Sequence, residues 1–281
     1  MLNRQKYIKR YEINGDLKIS FLKALAWFAL NIIRNFRFSE CERTSKTFYA
    51  NRNICKFNID ISSPGRTLVT LFNQLNLNSF LKKEHPPSCL EIGCGSGSFY
   101  ESIKLKSVRA NYTGIDLYSR FQKRVSSKCR FIKMDILIFR PNEKYDFIYS
   151  NSVLEHCKDD HMIFKKSYEW LKEGGTALHF LPAASGVLLY PKHGFRQYTI
   201  YSLKNKVPCK DFSIYQLGGF GSFLVHLIFI TVPEGFFRFP ARKFCGRFYS
   251  IVKELGFRLD PILPFFGPMV AVVLKKNGAR R

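Results

Sequence analysis

The chain has 281 residues, 46% of them hydrophobic, enough for one large domain with a sizeable core. Lys and Arg number 45 against 21 Asp and Glu, a net charge of +24 at pH 7. The excess lies mostly on the flanks: net +7 over residues 1–65, +6 over 66–185 and +11 over 186–281. A basic balance of this size points to an anionic partner, whether nucleic acid, lipid headgroups or phosphate-bearing substrates, or to a solvated basic surface. None of the eight cysteines forms C-x-x-C or pairs with histidine at zinc-like spacing. They read as free thiols of a reducing compartment.

The N-terminal region, 1–65, reads as a helical extension, with a helix around 17–36. The uncharged core of that helix, Ala24 to Ile33, is ten residues, against about 20 needed to span a bilayer. The apolar stretch Phe220 to Phe237 is similarly short and holds His226. No signal peptide is evident, and the expected location is cytoplasmic. After the turn at Ser63-Pro64-Gly65, Leu68, Leu71, Phe72 and Leu75 fall at helical spacing.

Then comes CLEIGCGSGSFY, Cys89 to Tyr100. It predicts a strand, a glycine turn and a helix. Glycine lacks a Cβ and tolerates positive φ, so Gly93, Gly95 and Gly97 let backbone approach a ligand. The helix start behind them favours groups that accept N–H bonds. A dinucleotide fingerprint, G-x-G-x-x-G, would put a third glycine where Ser98 stands. A plain linking turn is the other reading at this point.

From here strands and helices alternate, predicting an α/β doubly wound, Rossmann-like sheet. YTGIDLY (112–118) and CRFIKMDIL (129–137) are strands ending in acids, Asp116 and Asp135. YDFIYSNSVLEH (145–156) is a strand running into a helix start, and HMIFKKSYEWLKEGG (161–175) is a helix closed by Gly174 and Gly175. TALHFLP (176–182) is the fifth strand. IVKELGF is a helix ending at a glycine, and RLDPILPF with MVAVVLKK reads as a closing strand pair, so the sheet is mostly parallel with an antiparallel closing strand. Residues 183–241, dense in aromatic and basic side chains, read as an insertion after the fifth strand, within a domain spanning 66–281.

Ligands of open α/β sheets bind at the carboxyl ends of the strands. Glu91 lies in the first strand, Asp116 stands 19 residues after Gly97, and Asn151 follows the fourth strand. A carboxylate at the end of the second strand suits both hydroxyls of a ribose. Taken in order, LEIGCGSG, GIDL, MDI, YDFIYSNSVLEH and LKEGG resemble the class I S-adenosylmethionine-dependent methyltransferases. The resemblance covers 66–185 closely and 250–276 loosely. It implies S-adenosylmethionine as cofactor, with Gly93, Gly95 and Gly97 passing close to its methionine and ribose portions. Glu91 holds the loop or the methionine amino group, and Asp116 with Leu117 takes the ribose. Asp135 with Ile136 takes the adenine, and Ser150 or Asn151 the methionine side.

The expected chemistry is in-line methyl transfer, with histidine as the base for a hydroxyl acceptor. His156, His161, His179 and His193 are the candidates, His156 and His193 being placed at the acceptor. In the ubiquinone-biosynthesis O-methyltransferases this region reads E-x-x-E-H and is associated with a metal. Ser152 replaces the first acid here while Glu155 and His156 remain, so no metal is expected. SSPGRTLVTLF and PKHGFRQYT look similar to methyltransferases of bacterial surface-polysaccharide clusters. This implies O-methylation of a sugar, lipid-linked or other small-molecule acceptor, with 1–65 as an acceptor cap. Aromatics interleaved with Arg and Lys, as in GFFRFPARKFCGRF, also fit an anionic membrane surface. The alternatives are an RNA methyltransferase, disfavoured because Ser150-Asn151-Ser152-Val153 is not N/D-P-P-Y/F, and a non-catalytic cofactor-fold binding protein. The oligomeric state is left open.

Overall fold

The computed structural model describes residues 46–50, 61–81, 85–105, 109–118, 128–190 and 193–277, with scattered positions between 22 and 33. Of the helix expected at 17–36, Leu22, Leu25, Ala26, Ala29, Leu30 and Ile33 are helical and exposed; its other positions, and Cys41 and Cys55, lie outside the described residues.

The elements in chain order are β1 (Lys46–Phe48), α1 (Pro64–Leu81), β2 (Ser88–Ile92), α2 (Ser98–Leu105), β3 (Asn111–Asp116), β4 (Cys129–Lys133) and β5 (Tyr145–Asn151). A 3₁₀ turn (Leu154–His156), α3 (Asp160–Glu169) and β6 (Leu171–Pro182) follow. Then come α4 (Gly186–Leu189), α5 (Ile200–Lys206), β7 (Phe212–Leu217), α6 (Phe220–His226), a π-helical segment (Leu227–Phe236), α7 (Ala241–Leu259) and β8 (Met269–Lys275). The eight strands among the described residues form one sheet in the order β1-β7-β8-β6-β5-β2-β3-β4. β2 to β6 pair in parallel, and β8 runs antiparallel between β6 and β7. The chain goes from β2 outward to β3 and β4, then returns to β5 on the other side of β2. That reversal opens a crevice at the carboxyl ends of β2, β3 and β5.

Strand residues alternate between two buried faces. Leu90, Ile92 and Ile148 join Ile163 and Phe164 of α3 and Leu203 of α5 on one side. Cys89, Phe147 and Tyr149 join Leu68 and Phe72 of α1 and Phe257 of α7 on the other. Burial on both faces is why β2 is closed to solvent along its whole length, as parallel central strands are. The second face is aromatic: Phe99 stacks on Tyr149 with centroids 3.6 Å apart, and Phe72 meets Phe180 edge-on at 5.6 Å.

Several boundaries differ from the expectation. Leu75 was placed on the apolar face of α1 but is 52% exposed. β4 stops at Lys133, so Asp135 sits in the turn beyond it, its carboxylate accepting the Leu137 N–H at 2.8 Å. Gly174 and Gly175 do not close α3, which ends at Glu169; they lie within β6, where a Cβ on Gly175 would stand 2.8 Å from the Lys172 carbonyl oxygen. The partner of β8 on its far side is not RLDPILPF, which spans the end of α7 and the turns after it, but Phe212–Leu217. Residues 183–241 thus contribute a strand, and 46–48 add a parallel strand beyond it.

A buried charge fixes α3 to the segment behind it. Asp160 has no solvent exposure; its carboxylate accepts from Tyr198 Oη at 2.8 Å and Lys206 Nζ at 2.6 and 2.7 Å, and pairs with Arg196. Asp160→Ala leaves two cations and a phenol facing a hole, so it should cost about 3–5 kcal/mol of stability. Urea unfolding of the two proteins at pH 7 measures this, and a change under 1 kcal/mol would contradict it.

Candidate active site

The crevice is walled by the ends of β2, β3 and β5. Gly93 and Gly95, Asp116, Leu117 and Tyr118, Met134 and Ile136, then Asn151 to Val153 and His156 follow one another around it. Gly93, Gly95 and Gly97 have φ of 69°, 51° and 82°, a region that only glycine enters at little cost. At Gly93 space is also short: a Cβ would stand 2.3 Å from Val153 Cγ2, across the crevice floor. At Gly95 a Cβ would meet nothing within 4 Å, so this backbone faces open space. Gly97 is buried and shapes the turn, its N–H donating to the Cys94 carbonyl at 2.8 Å.

The turn is locked to β3. The N–H groups of Gly93 and Cys94 both donate to the Ile115 carbonyl, at 2.7 and 3.1 Å. Gly95 N–H donates to Asp116 Oδ2 at 2.8 Å, and Tyr118 N–H to Oδ1 at 2.9 Å. Asp116 is half-buried, oriented by two backbone donors, with acceptor capacity left over at the mouth of the crevice. Leu117 and Ile136 lie beside it. Asp135 is turned inward, 3% exposed, and lines no part of the crevice.

Glu91 is also outside the crevice. It points with Cys89 toward the aromatic face, 5% exposed, and accepts a hydrogen bond from the Tyr112 hydroxyl. Burial pushes its carboxyl up to about 8, against the lowering effect of the Tyr112 bond.

Of the four candidate histidines, His179 is fully buried with its Nδ1 2.8 Å from Ser150 Oγ, and burial pushes it down to about 3. Neither it nor Ser150 reaches the crevice. His161 is exposed on α3. His156 lines the crevice, and His193 lies against it, ring centroids 4.4 Å apart and nearly perpendicular. Behind both is Glu155, wholly buried, with Oε1 3.4 Å from His193 Nε2. Neither Glu155 oxygen has a hydrogen-bond partner among the described residues. The sequence separates His193 from His156 by 37 positions, and two contacts bring them together. Phe195 N–H donates to the Glu155 carbonyl at 2.7 Å, and Gly194, at φ 68°, lies where a Cβ would be 3.0 Å from Glu155 Cγ.

Sequence reasoning missed Tyr118, Met134, Ser152 and Val153 as crevice residues. Ser152 carries a signal only the backbone reveals: φ of 54°, left-handed in a residue that rarely adopts it. The other three are the residues flanking strand ends, and each follows once the strand boundaries are known.

The Glu91 carboxyl has a thermodynamic signature. Its folded value of about 8 lies above the ordinary 4.5, so the folded protein keeps a proton that the unfolded chain loses. Stability from this group is complete below pH 4.5 and falls as pH rises toward 8, by up to about 5 kcal/mol in all. In Glu91→Gln that component of the slope should vanish, which denaturant unfolding between pH 5 and 8 tests directly.

Comparison with known proteins agrees with this geometry. Residues 68–209 match the family model described as a methyltransferase domain. Malonyl-acyl-carrier-protein O-methyltransferase 2 of Ilyobacter polytropus is 35% identical over 95 residues, 32% of this chain and 37% of its own length. (S)-Coclaurine N-methyltransferase of Papaver somniferum is 27% identical over 96 residues, 31% of this chain and 27% of its own. The matches thus span 37% and 27% of these two relatives' lengths. The plantazolicin methyltransferase BpumL, solved with S-adenosylhomocysteine, superposes with a TM-score of 0.50 over 92% of this chain and 98% of its own, at 18% identity, a likeness of fold. With half its length matching the family model and the glycine turn, Asp116 and the strand-end crevice in the arrangement of that fold, the chain belongs to the class I S-adenosylmethionine-dependent methyltransferase family.

Proposed function

We propose that the protein transfers the methyl group of S-adenosylmethionine to a hydroxyl of a sugar, lipid-linked or other small-molecule acceptor. The observation that carries the cofactor half is the Asp116 carboxylate, held by the Gly95 and Tyr118 N–H groups at the mouth of the crevice. Its remaining lone pairs accept the two ribose hydroxyls. Leu117 and Ile136 sandwich the adenine, and Gly93, Gly95 and Asn151 line the methionine arm. Gly97 sets the turn, and Asp135 supports the adenine side through the backbone it caps. Glu91 steadies β2 and the turn from behind.

In the reaction the acceptor oxygen attacks the methyl carbon as the carbon–sulfur bond breaks. The products are the O-methylated acceptor and S-adenosylhomocysteine, and the acceptor's proton is released. The sulfonium is already activated, so most of the work is alignment of the two reactants. Proton removal falls to the cluster of Glu155, His156 and His193, of which His156 faces the crevice. By their names the relatives act on malonyl-acyl-carrier protein and on coclaurine, which supports acceptors presented as small groups.

Residues 1–65 and 183–241 supply the acceptor side in this reading. The lipid-linked option is supported by the surface of α7 and the π-helical segment. Beyond a kink at Gly246, where φ is 45° and ψ -110°, Phe248, Ile251, Leu255 and Leu259 follow at helical spacing, 45–61% exposed, and Phe244, 78% exposed, stands just before it. Phe236 and Phe237 extend it, and the exposed cations Arg238, Lys243 and Arg247 border it. Among the described residues no helix is long and apolar enough to cross a membrane. An apolar stripe edged with cations suits lying on one instead, at an anionic leaflet.

Calorimetry with S-adenosylmethionine tests the cofactor half: wild type should bind, and Asp116→Ala should bind at least tenfold more weakly, the loss of charged hydrogen bonds. Turnover is then followed as S-adenosylhomocysteine release with glycan, lipid-linked and RNA acceptors, where His156→Ala should lower kcat by about 10²–10⁴. RNA as the sole productive acceptor would overturn the small-molecule reading. Co-sedimentation with vesicles should show binding to anionic but not neutral lipid, weakened by salt and abolished by Phe244→Glu with Phe248→Glu. Equal binding by that variant would remove the membrane from the account.

A further inference from the structure

Glu155 poses a problem that proton transfer alone does not solve. A carboxylate with no solvent exposure and no hydrogen-bond donor is costly, and proteins neutralise such groups with a partner charge or a metal. Two imidazoles stand beside it. One ligand atom from each of Glu155, His156 and His193 lies within 4.8 Å of the others. We propose that these three side chains bind a divalent transition-metal ion, most suitably Zn²⁺, at the edge of the crevice.

The donor set decides the class of ion. Two imidazole nitrogens and one carboxylate are the borderline ligands that zinc takes in three-ligand sites, leaving a fourth position for water or substrate. Hard cations such as Mg²⁺ prefer an all-oxygen shell. Tetrahedral bonds of about 2.1 Å put donors about 3.4 Å apart. Glu155 Oε1 and His193 Nε2 are already 3.4 Å apart, so a modest rotation of His156 completes the set. The backbone supports it: the Phe195 N–H bond to the Glu155 carbonyl and the close seat of Gly194 on Glu155 hold the third ligand in place, across 37 residues of sequence. The sequence puts a metal in doubt because Ser152 occupies the position of a first acid; His193 offers a third ligand from elsewhere.

The consequence rests on the methyl-transfer reading. His156 is part of the crevice wall, so an ion held by these side chains would stand at the edge of the crevice. A hydroxyl bound to a divalent ion loses its proton to solvent at a lower pH than a free one. An ion held here would supply that acidity, and Glu155, His156 and His193 would serve as its ligands.

Ion binding is tested without turnover. Chelator-treated full-length protein is titrated with Zn²⁺ by calorimetry and with Co²⁺ by visible absorption, and S-adenosylmethionine binding is measured on the same samples. The expected result is one equivalent bound at micromolar or tighter affinity, with Co²⁺ giving a tetrahedral spectrum. Glu155→Gln and His193→Ala should each weaken binding at least tenfold, and His161→Ala, on the exposed face of α3, should not. His193→Asp, which keeps a ligand, should restore Co²⁺ binding with a shifted spectrum and guards against loss through misfolding. No stoichiometric ion in the wild type, or equal affinity in the Glu155 and His193 variants, overturns the proposal and leaves Glu155 and His193 as an ion pair. Intact S-adenosylmethionine binding in that case shows that the cofactor reading stands on its own.

Discussion

The hydrogen bonds joining the glycine turn to the end of β3 organise the crevice. Ile115 accepts two turn N–H groups and Asp116 a third, so the loop after β2 and the acid after β3 cannot move independently. Positive φ at three glycines makes the turn tight enough to bring those donors together. Val153, packed where any side chain on Gly93 would sit, ties the same turn to the end of β5. Three strand ends are thereby fixed to within hydrogen-bond tolerance before any ligand arrives. Preorganisation of this kind spares a bound cofactor the entropy of ordering its own site.

Much of this was legible in the sequence because it rests on local rules. Glycines spaced by one residue after an apolar run mark a turn that needs positive φ, and the acids of β3 and of the turn after β4 stand at regular intervals beyond it. Gly93, Gly95, Asp116, Leu117, Ile136, Asn151 and His156 all line the crevice. The inward turn of Asp135 was not legible, because it depends on where β4 stops, and one or two residues of strand length decide the direction of a side chain. β7 was hidden for a different reason. FSIYQL is short, and its own apolar and polar residues do not alternate cleanly, so no period-two pattern marks it as a strand. It is a strand because β8 offers it an edge, a tertiary cause with no local trace. The adjacency of His193 and Glu155 likewise depends on a long return of chain, hinted at only by Gly194.

The two halves of the molecule obey different constraints. Around β2, both faces of the sheet are closed and the side chains follow the demands of packing. On α7, burial takes Tyr249, Gly256 and Phe257 on one side and leaves a stripe of large apolar groups on the other. The helix is therefore apolar on two faces. Lys253 marks the boundary: its ammonium is buried against the Ser62 carbonyl and Thr67 Oγ1, joining α7 to the start of α1.

β1 sets an order of events. Lys46–Phe48 pair in parallel with Tyr215–Leu217, so the edge of the sheet unites residues made early with residues made late. On the ribosome this strand emerges before the other described strands and meets its sheet partner only after some 170 more residues. The glycine turn, Asp116 and β5 have all emerged by then. The sheet thus assembles outward from its cofactor-facing centre, and the N-terminal strand is among the last pieces to find its place.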